Sequence, residues 1–319
     1  MNRRNCLLLA LVLAASSFEA AAQAWPARPI TIIVPQQAGS YSDNMIRPVA
    51  VAMQEQLGQP VIIENKPGAN GVIGAEAGAR AKPDGYTLLL SASSVFVSNA
   101  GLYKKLSYDP VKDFRSVAGL SKISMMFVAR PDFPARTVDE LVARAKASGQ
   151  PLHVAVGSST AQLAVALLSA ASGVPFQAIP YKGSPQVTTD LLGGVVPLAV
   201  VDVASGAAFI KSGRMVGIAT TDSARNGFLP EVPTIAERFP GATLVSWTGL
   251  AAPAGTSDDV VRTLHEAVRK SLERADVQQR LAASSITPAL MTPAVLDRTL
   301  REDLPRWAAL MRAAGIEKE

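Results

Sequence analysis

Residues 32–50 read IIVPQQAGSYSDNMIRPVA. The β-branched run closes at Pro35, where a strand ends. Two glutamines and a cluster of small polar residues follow, and then an apolar stripe starts at helical spacing. Ile46, Val49, Ala50, Met53 and Leu57 recur at the intervals that place side chains on one face of a helix. Gly58 is the expected stop, and Ser42 or Asp43 the expected N-cap. Pro48 would remove a backbone donor, so the regular helix is expected to start late. A strand that empties into a polar loop at a helix mouth brings several free backbone N–H groups to one point, together with the positive end of the helix dipole. That arrangement receives an anion.

The design recurs along the chain. LHVAVGSSTAQLAVALLSAASG, from Leu152, reads as a strand, then Gly157, Ser158, Ser159 and Thr160, then a helix with Leu163, Leu167, Leu168 and Ala171 on its face and Gly173 at its end. YTLLLSASSVFV places Ser91, Ser93 and Ser94 just past a strand, and VPLAVVDVASG does the same for Asp202. Strand-like runs at 30–34, 61–64, 87–90, 125–129, 152–156, 195–201 and 216–220 are apolar throughout rather than alternating, as strands covered on both faces are. Strands interleaved with helical patterns define an α/β chain with mainly parallel sheets. Ligands of such sheets sit at the carboxyl ends of the strands, where all four polar loops fall. Ordinary capped turns explain any one of these loops. Two alike, the Gln36–Asp43 and Gly157–Thr160 loops, in separate halves of the chain point to a carboxylate-binding surface.

The N-terminus carries Arg3 and Arg4, the apolar run CLLLALVLAA and then AAAQA. This is the layout of a cleaved signal peptide over residues 1–24, with an apolar run well short of the ~20 residues that span a bilayer. The chain is therefore expected to be exported. Cys6 is the one cysteine among 319 residues and lies in that segment, which removes disulfides and thiolate chemistry from the expected mature chain. A formal charge of +5 suits anionic small molecules. Basic residues that never cluster beyond pairs, with sparse aromatics, argue against nucleic acid. PGANGVIGA, from Pro67, has G-x-x-G-x-x-G spacing rather than the dinucleotide fingerprint, and reads as a tight turn with close helix packing. His153 and His265 stand apart, Tyr181-Lys182 in PYKG reads as a structural turn, and no constellation for a metal, a cofactor or an activated nucleophile is visible. Asp202, between a strand and a helix, reads equally as an N-cap and as an acceptor for a ligand ammonium, hydroxyl or water.

WPARPITIIVP, GQPVIIENKPGANGVIGA, KPDGYTLLL, LYKKLSYDPVKDF, IPYKG, DLLGG, LPEVPTIAE, WTGLAAPAGT and RWAALMRAAGI follow one another in an order that resembles the Bug-type substrate-binding proteins of tripartite tricarboxylate transporters. The resemblance covers essentially the whole chain after residue 24. It implies a two-domain periplasmic-binding-protein-like (type II) fold with two crossovers between lobes, domain 1 as 25–124 plus 245–319 and domain 2 as 125–244. It implies a periplasmic receptor, with a small organic acid as ligand and a large and a small integral membrane subunit as partners; no cofactor is expected, and the receptor is expected to be a monomer. Two facing loops would hold the acid largely through backbone groups. These are Gln36–Asp43, with Gln37, Ala38, Gly39, Ser40, Tyr41 and Asp43, and Gly157–Gln162; the Asp of the third loop matches Asp202. The chain departs from the family where an apolar-Gly-Gly loop becomes Gln36-Gln37-Ala38-Gly39-Ser40-Tyr41 and where a common His becomes Gln162. The bulk of Tyr41 suggests a ligand with a flat or apolar body. A sensor presenting the same closed form to a signalling protein is the alternative, and an exported hydrolase a more distant one.

Overall fold

The computed structural model describes residues 25–313, 316 and 318. The expected signal peptide lies outside them. Strand β1 (Ile30–Val34) leads through the polar loop into α1 (Tyr41–Leu57), then β2 (Val61–Asn65), α2 (Val72–Ala79) and β3 (Thr87–Ala92). A helical turn over Ser94–Ser98 and α3 (Asn99–Leu102) precede the long β4 (Phe114–Ala129). The middle of the chain runs α4 (Val138–Ser148), β5 (Leu152–Val156), α5 (Ser159–Ser172), β6 (Phe176–Pro180), α6 (Ser184–Leu192), β7 (Leu198–Asp202), α7 (Val203–Lys211), β8 (Val216–Thr220) and α8 (Ile235–Arg238). The return comprises β9 (Val245–Pro253), α9 (Asp258–Glu273), α10 (Ala275–Ala283), β10 (Pro288–Met291) and α11 (Pro293–Ala313).

The strands lie in the order β2-β1-β3-β9-β4-β7-β5-β6, with β8 and β10 also paired to β4. The outer strands pair in parallel, as the strand-helix-strand units require: β1 with β2 and β3, and β5 with β6 and β7. Antiparallel pairing is confined to the neighbours of β4 and β9, so the sheet is mixed at its centre. Strand β4 belongs to both halves of the sheet. Its first part, to Ser124, pairs with β9; its last five residues, from Met125, pair with β7. The chain thus enters the second half at Met125 and re-enters the first at Val245.

Thr221 binds the two crossings together. Its N–H donates to the Met125 carbonyl at 2.8 Å, and its Oγ1 accepts from Met125 N–H at 3.0 Å. The same hydroxyl donates to the Leu244 carbonyl at 2.6 Å, and Leu244 N–H returns a bond to the Thr221 carbonyl at 2.8 Å.

Most of the apolar stripe of α1 is buried as read: Ile46, Val49, Ala50 and Met53 are 2 % exposed or less, Met45 joins them, and Leu57 at the end is partly buried. The helix does not start late: it begins at Tyr41 and carries Pro48 within it, capped by Ser40 rather than by Ser42 or Asp43. Burial of that face outweighs the one hydrogen bond Pro48 removes. Pro305 is likewise carried within α11. The PGANGVIGA segment packs as closely as expected: a Cβ at Gly74 would lie 2.8 Å from Pro35 Cα. His265 lies against β4, with Nδ1 3.0 Å from the Val117 carbonyl, and His153 is exposed beside Gln177. Among the described residues no helix is long and apolar enough to cross a membrane.

Candidate functional site

A cleft of about 600 Å³ opens between the two halves of the sheet. Its wall is built from the carboxyl ends of β1, β2, β3, β5, β6 and β7, so the strand-end loops do converge; residues 67–71, read from the sequence only as a tight turn, lie on it as well. From the first half come Gln36, Gln37, Ser40, Tyr41 and Ser94; from the second, Gly157, Ser158, Ser159, Thr160 and Asp202. Ile123 and Met125, on either side of the crossing in β4, supply an apolar floor together with Pro35 and Ala92.

Several of the expected residues stand elsewhere. Ala38 and Gly39 are exposed outside the cleft, and Gln162 is one turn along α5, its N–H already bonded to the Ser158 carbonyl. Ser91 is buried where β3 meets β9, against Gly249. Ser93 fastens the same two strands: its Oγ lies 2.5 Å from Ser246 Oγ and accepts from Trp247 N–H at 2.7 Å. Neither of these serines lines the cleft. Strand β3 ends at Ala92 and the chain turns helical from Ser93, so Ser94 reaches the cleft while Ser91 and Ser93 do not; the reading of a serine cluster as one surface overlooked that turn.

Asp43 is also a framework residue. It is 2 % exposed. Its Oδ2 accepts from Gly39 N–H at 2.9 Å and from Arg47 Nε at 2.8 Å, while Oδ1 accepts from Arg47 Nη2 at 2.8 Å and Asn65 Nδ2 at 2.9 Å. Burial raises the affinity of this carboxyl for a proton. The bonds from Arg47, Gly39 and Asn65 outweigh that effect and hold it below the usual carboxylate range. The negative charge that belongs at the start of α1 is therefore supplied by the helix itself, which leaves the first loop less receptive to an outside anion than its sequence suggested.

The second half is more receptive. Ser158 caps α5 by accepting from Ala161 N–H at 3.2 Å, and Ser159 Oγ donates across the cleft to the Ser94 carbonyl at 3.0 Å. Thr160 is 1 % exposed, and its hydroxyl has no partner among the described residues. Immediately alongside is the start of α6, which the sequence reading set aside as a structural turn. Tyr181, Lys182, Gly183 and Ser184 all line the cleft. The N-cap Gly183 offers no side chain to this helix. A Cβ on Gly157 would lie 2.4 Å from the Ser184 nitrogen, so only glycine lets the two helix starts meet this closely. Gln37 reaches over from the first half: a Cβ on Gly183 would lie 2.7 Å from its Oε1. The signal for this loop was the same strand-then-Gly-Ser pattern found at Gly157, hidden because β6 is short and partly exposed.

Asp202 is an N-cap that also lines the cleft. It caps α7 by accepting from Ser205 N–H and Ser205 Oγ at 2.8 Å each. Burial pushes its proton affinity up, against the two bonds from Ser205. Tyr41 closes the opposite wall with its hydroxyl turned into the protein, 3.0 Å from Ser121 Oγ and 3.2 Å from the Lys122 carbonyl. Burial, with the nearby charge of Asp202 adding to it, keeps this phenol neutral far above its ordinary range. What remains is a cleft with backbone donors at two helix starts, the exposed Lys182, polar side chains from both halves of the sheet and an apolar floor. It can hold an acid. Among the described residues no group of three or more His, Cys, Asp or Glu stands together.

The family model described as tripartite tricarboxylate transporter family receptor matches residues 45–316. Protein BugT of Bordetella pertussis is 34% identical over 93% of this chain and 92% of its own length. An Agrobacterium vitis protein from the ttuE-ttuC' intergenic region is 35% identical over 99% and 93%. The periplasmic binding protein BugD superposes with a TM-score of 0.86 at 33% identity, covering 92% of this chain and 100% of that one. A Rhodopseudomonas palustris protein solved with adipate gives 0.87 at 29%, over 92% and 100%. MatC of the same organism, solved with malate, gives 0.83 at 30%, over 90% and 99%. By sequence and by fold alike, the chain belongs to the receptor family of the tripartite tricarboxylate transporters, the periplasmic binding proteins of the Bug type.

Proposed function

We propose that the protein is a periplasmic receptor that captures a small organic acid through its carboxylate and hands it to the large and small membrane subunits of a tripartite transporter. The observation that carries this reading is the convergence of the α5 and α6 starts on one face of the cleft. Their free N–H groups and dipoles favour a negative charge, and the carboxylate needs no arginine to be held. Residues 25–124 with 245–319 form one lobe and residues 125–244 the other. They close on the acid, exclude water and so strengthen each charge–dipole contact. Closure follows binding because the acid touches both lobes only in the closed form. The solved relatives with adipate and malate support the carboxylate class.

A thermal-shift screen of the chain lacking residues 1–24 against aliphatic and aromatic carboxylates tests this. A ligand at 100 times its dissociation constant adds about 2.7 kcal/mol to stability, so at least one acid is expected to raise the melting temperature by several degrees. No shift with any acid would refute the reading.

A further inference from the structure

Gly183 owes its missing side chain to the other half of the sheet. This N-cap of α6 lies in extended backbone, φ 175° and ψ 164°, that any residue adopts. Its conformation therefore does not call for glycine, but the space around it does. A Cβ there would lie 2.7 Å from Gln37 Oε1, 2.9 Å from Gln37 Cδ and 3.4 Å from Gln37 Cγ, the three atoms it would approach most closely. Gly157 differs, because the atoms that crowd it belong to Gly183 and Ser184 in its own half. The Gln37 side chain thus crosses the cleft and lies against the α6 start, in the space a side chain on Gly183 would fill. Its base is fixed: the Gln37 carbonyl accepts from Ser40 N–H at 3.2 Å, and Asp43 holds Gly39 N–H at 2.9 Å. The Ser159 hydroxyl on the Ser94 carbonyl, at 3.0 Å, is a second contact between the halves on the same cleft. Contacts across a cleft part when it opens, whereas a contact within one half, such as Gly157 with Ser184, is kept.

We propose that Gln37 is a positioning residue of the receptor: it seats on Gly183 only in the closed form and, lying over the α6 start, delays release of the acid held there. This rests on the receptor reading above. Capture takes place with the lobes apart, before the seat exists. Escape requires that the seat part first. The pair therefore acts on the rate of release more than on the rate of capture. A bare α-carbon at 183 and a long side chain at 37 are the two sides of one fit, so a change to either is felt through the other.

Isothermal titration and stopped-flow binding with the chain lacking residues 1–24 test it, the probe being the tightest binder among succinate, citrate, L-malate, adipate and benzoate. Gly183→Ala is expected to weaken binding about ten-fold, the cost of a methyl group forced into a filled space. Gln37→Ala is expected to release the acid about three-fold faster, with the association rate nearly unchanged. In the double variant the methyl meets no glutamine, so binding should be about three-fold weaker than wild type, as for Gln37→Ala alone, rather than the roughly thirty-fold of independent losses. The melting temperature of the acid-free protein reads folding separately, and Gly183→Ala should leave it unchanged because the lobes stand apart without acid. Unchanged affinity in Gly183→Ala, independent losses in the double variant, or an acid-free melting temperature lowered by Gly183→Ala would overturn the closing role and leave the receptor reading intact. Binding of none of these acids, with no thermal shift from the wider panel, would overturn both.

Discussion

At the scale of single residues, Ser40, Asp43 and Asn44 at the opening loop are occupied in holding the loop itself. Asp43 is the centre of this. Its proton affinity is lower in the folded chain than in the unfolded one, so the unfolded chain takes up the proton first as the pH drops. The stabilisation is complete above the unfolded value, about 3.9, and is lost as pH falls through the depressed folded value. Asp43→Asn should therefore destabilise the protein at pH 7 by about 1–2 kcal/mol, a modest figure because Arg47 is half exposed and water screens its share. Below pH 4 the gap between variant and wild type should narrow. Urea unfolding at pH 7 and pH 3.5 reads both. The sequence placed Asp43 in the right loop with the wrong duty, since nothing local reveals that Arg47 and Asn65 converge on it.

At the scale of elements, the strand–loop–helix units starting at β1 and β5 were legible because their apolar periodicity changes from a continuous run to a helical face within a few residues. What escaped were elements whose pattern is set by partners far along the chain. Strand β4 was visible only as Met125–Ala129, because its first part carries Arg115, Ser116, Ser121 and Lys122 among apolar residues and is held by pairing with β9. Strand β6, with several positions partly exposed, gave no buried run, so the α6 start was missed. The junction of α5 and α6 makes its own prediction. Gly157→Ala forces a methyl group onto the backbone of Ser184, and backbone does not move aside as a side-chain tip would. A loss of about 1–3 kcal/mol is expected, seen as a lower melting temperature, together with weaker acid binding in titration because the two helix starts are pushed apart. Unchanged values for both would mean that the loop relaxes freely.

For the whole molecule, the two halves of the sheet are joined where β4 passes across and where the chain returns to β9, and they touch again across the cleft through Ser159 with Ser94 and Gln37 with Gly183. The order of strands shows that the cleft is a product of long-range pairing: β9 is inserted between β3 and β4 after more than a hundred intervening residues. Thr221 is fully buried at the join. Thr221→Val keeps the shape and removes the hydroxyl, leaving Met125 N–H and one bond of the Leu244 carbonyl unmet. A loss of about 1–3 kcal/mol in guanidinium unfolding is expected; no loss would mean that the join has other support.

That small threonine also governs how the mouth can move. Because one side chain and one peptide unit grip both passing strands, neither strand can slide lengthwise past the other; both can only twist in step. Any parting of the two halves of the sheet therefore swings about this line, and the residues farthest from it, at the rim of the cleft, travel most.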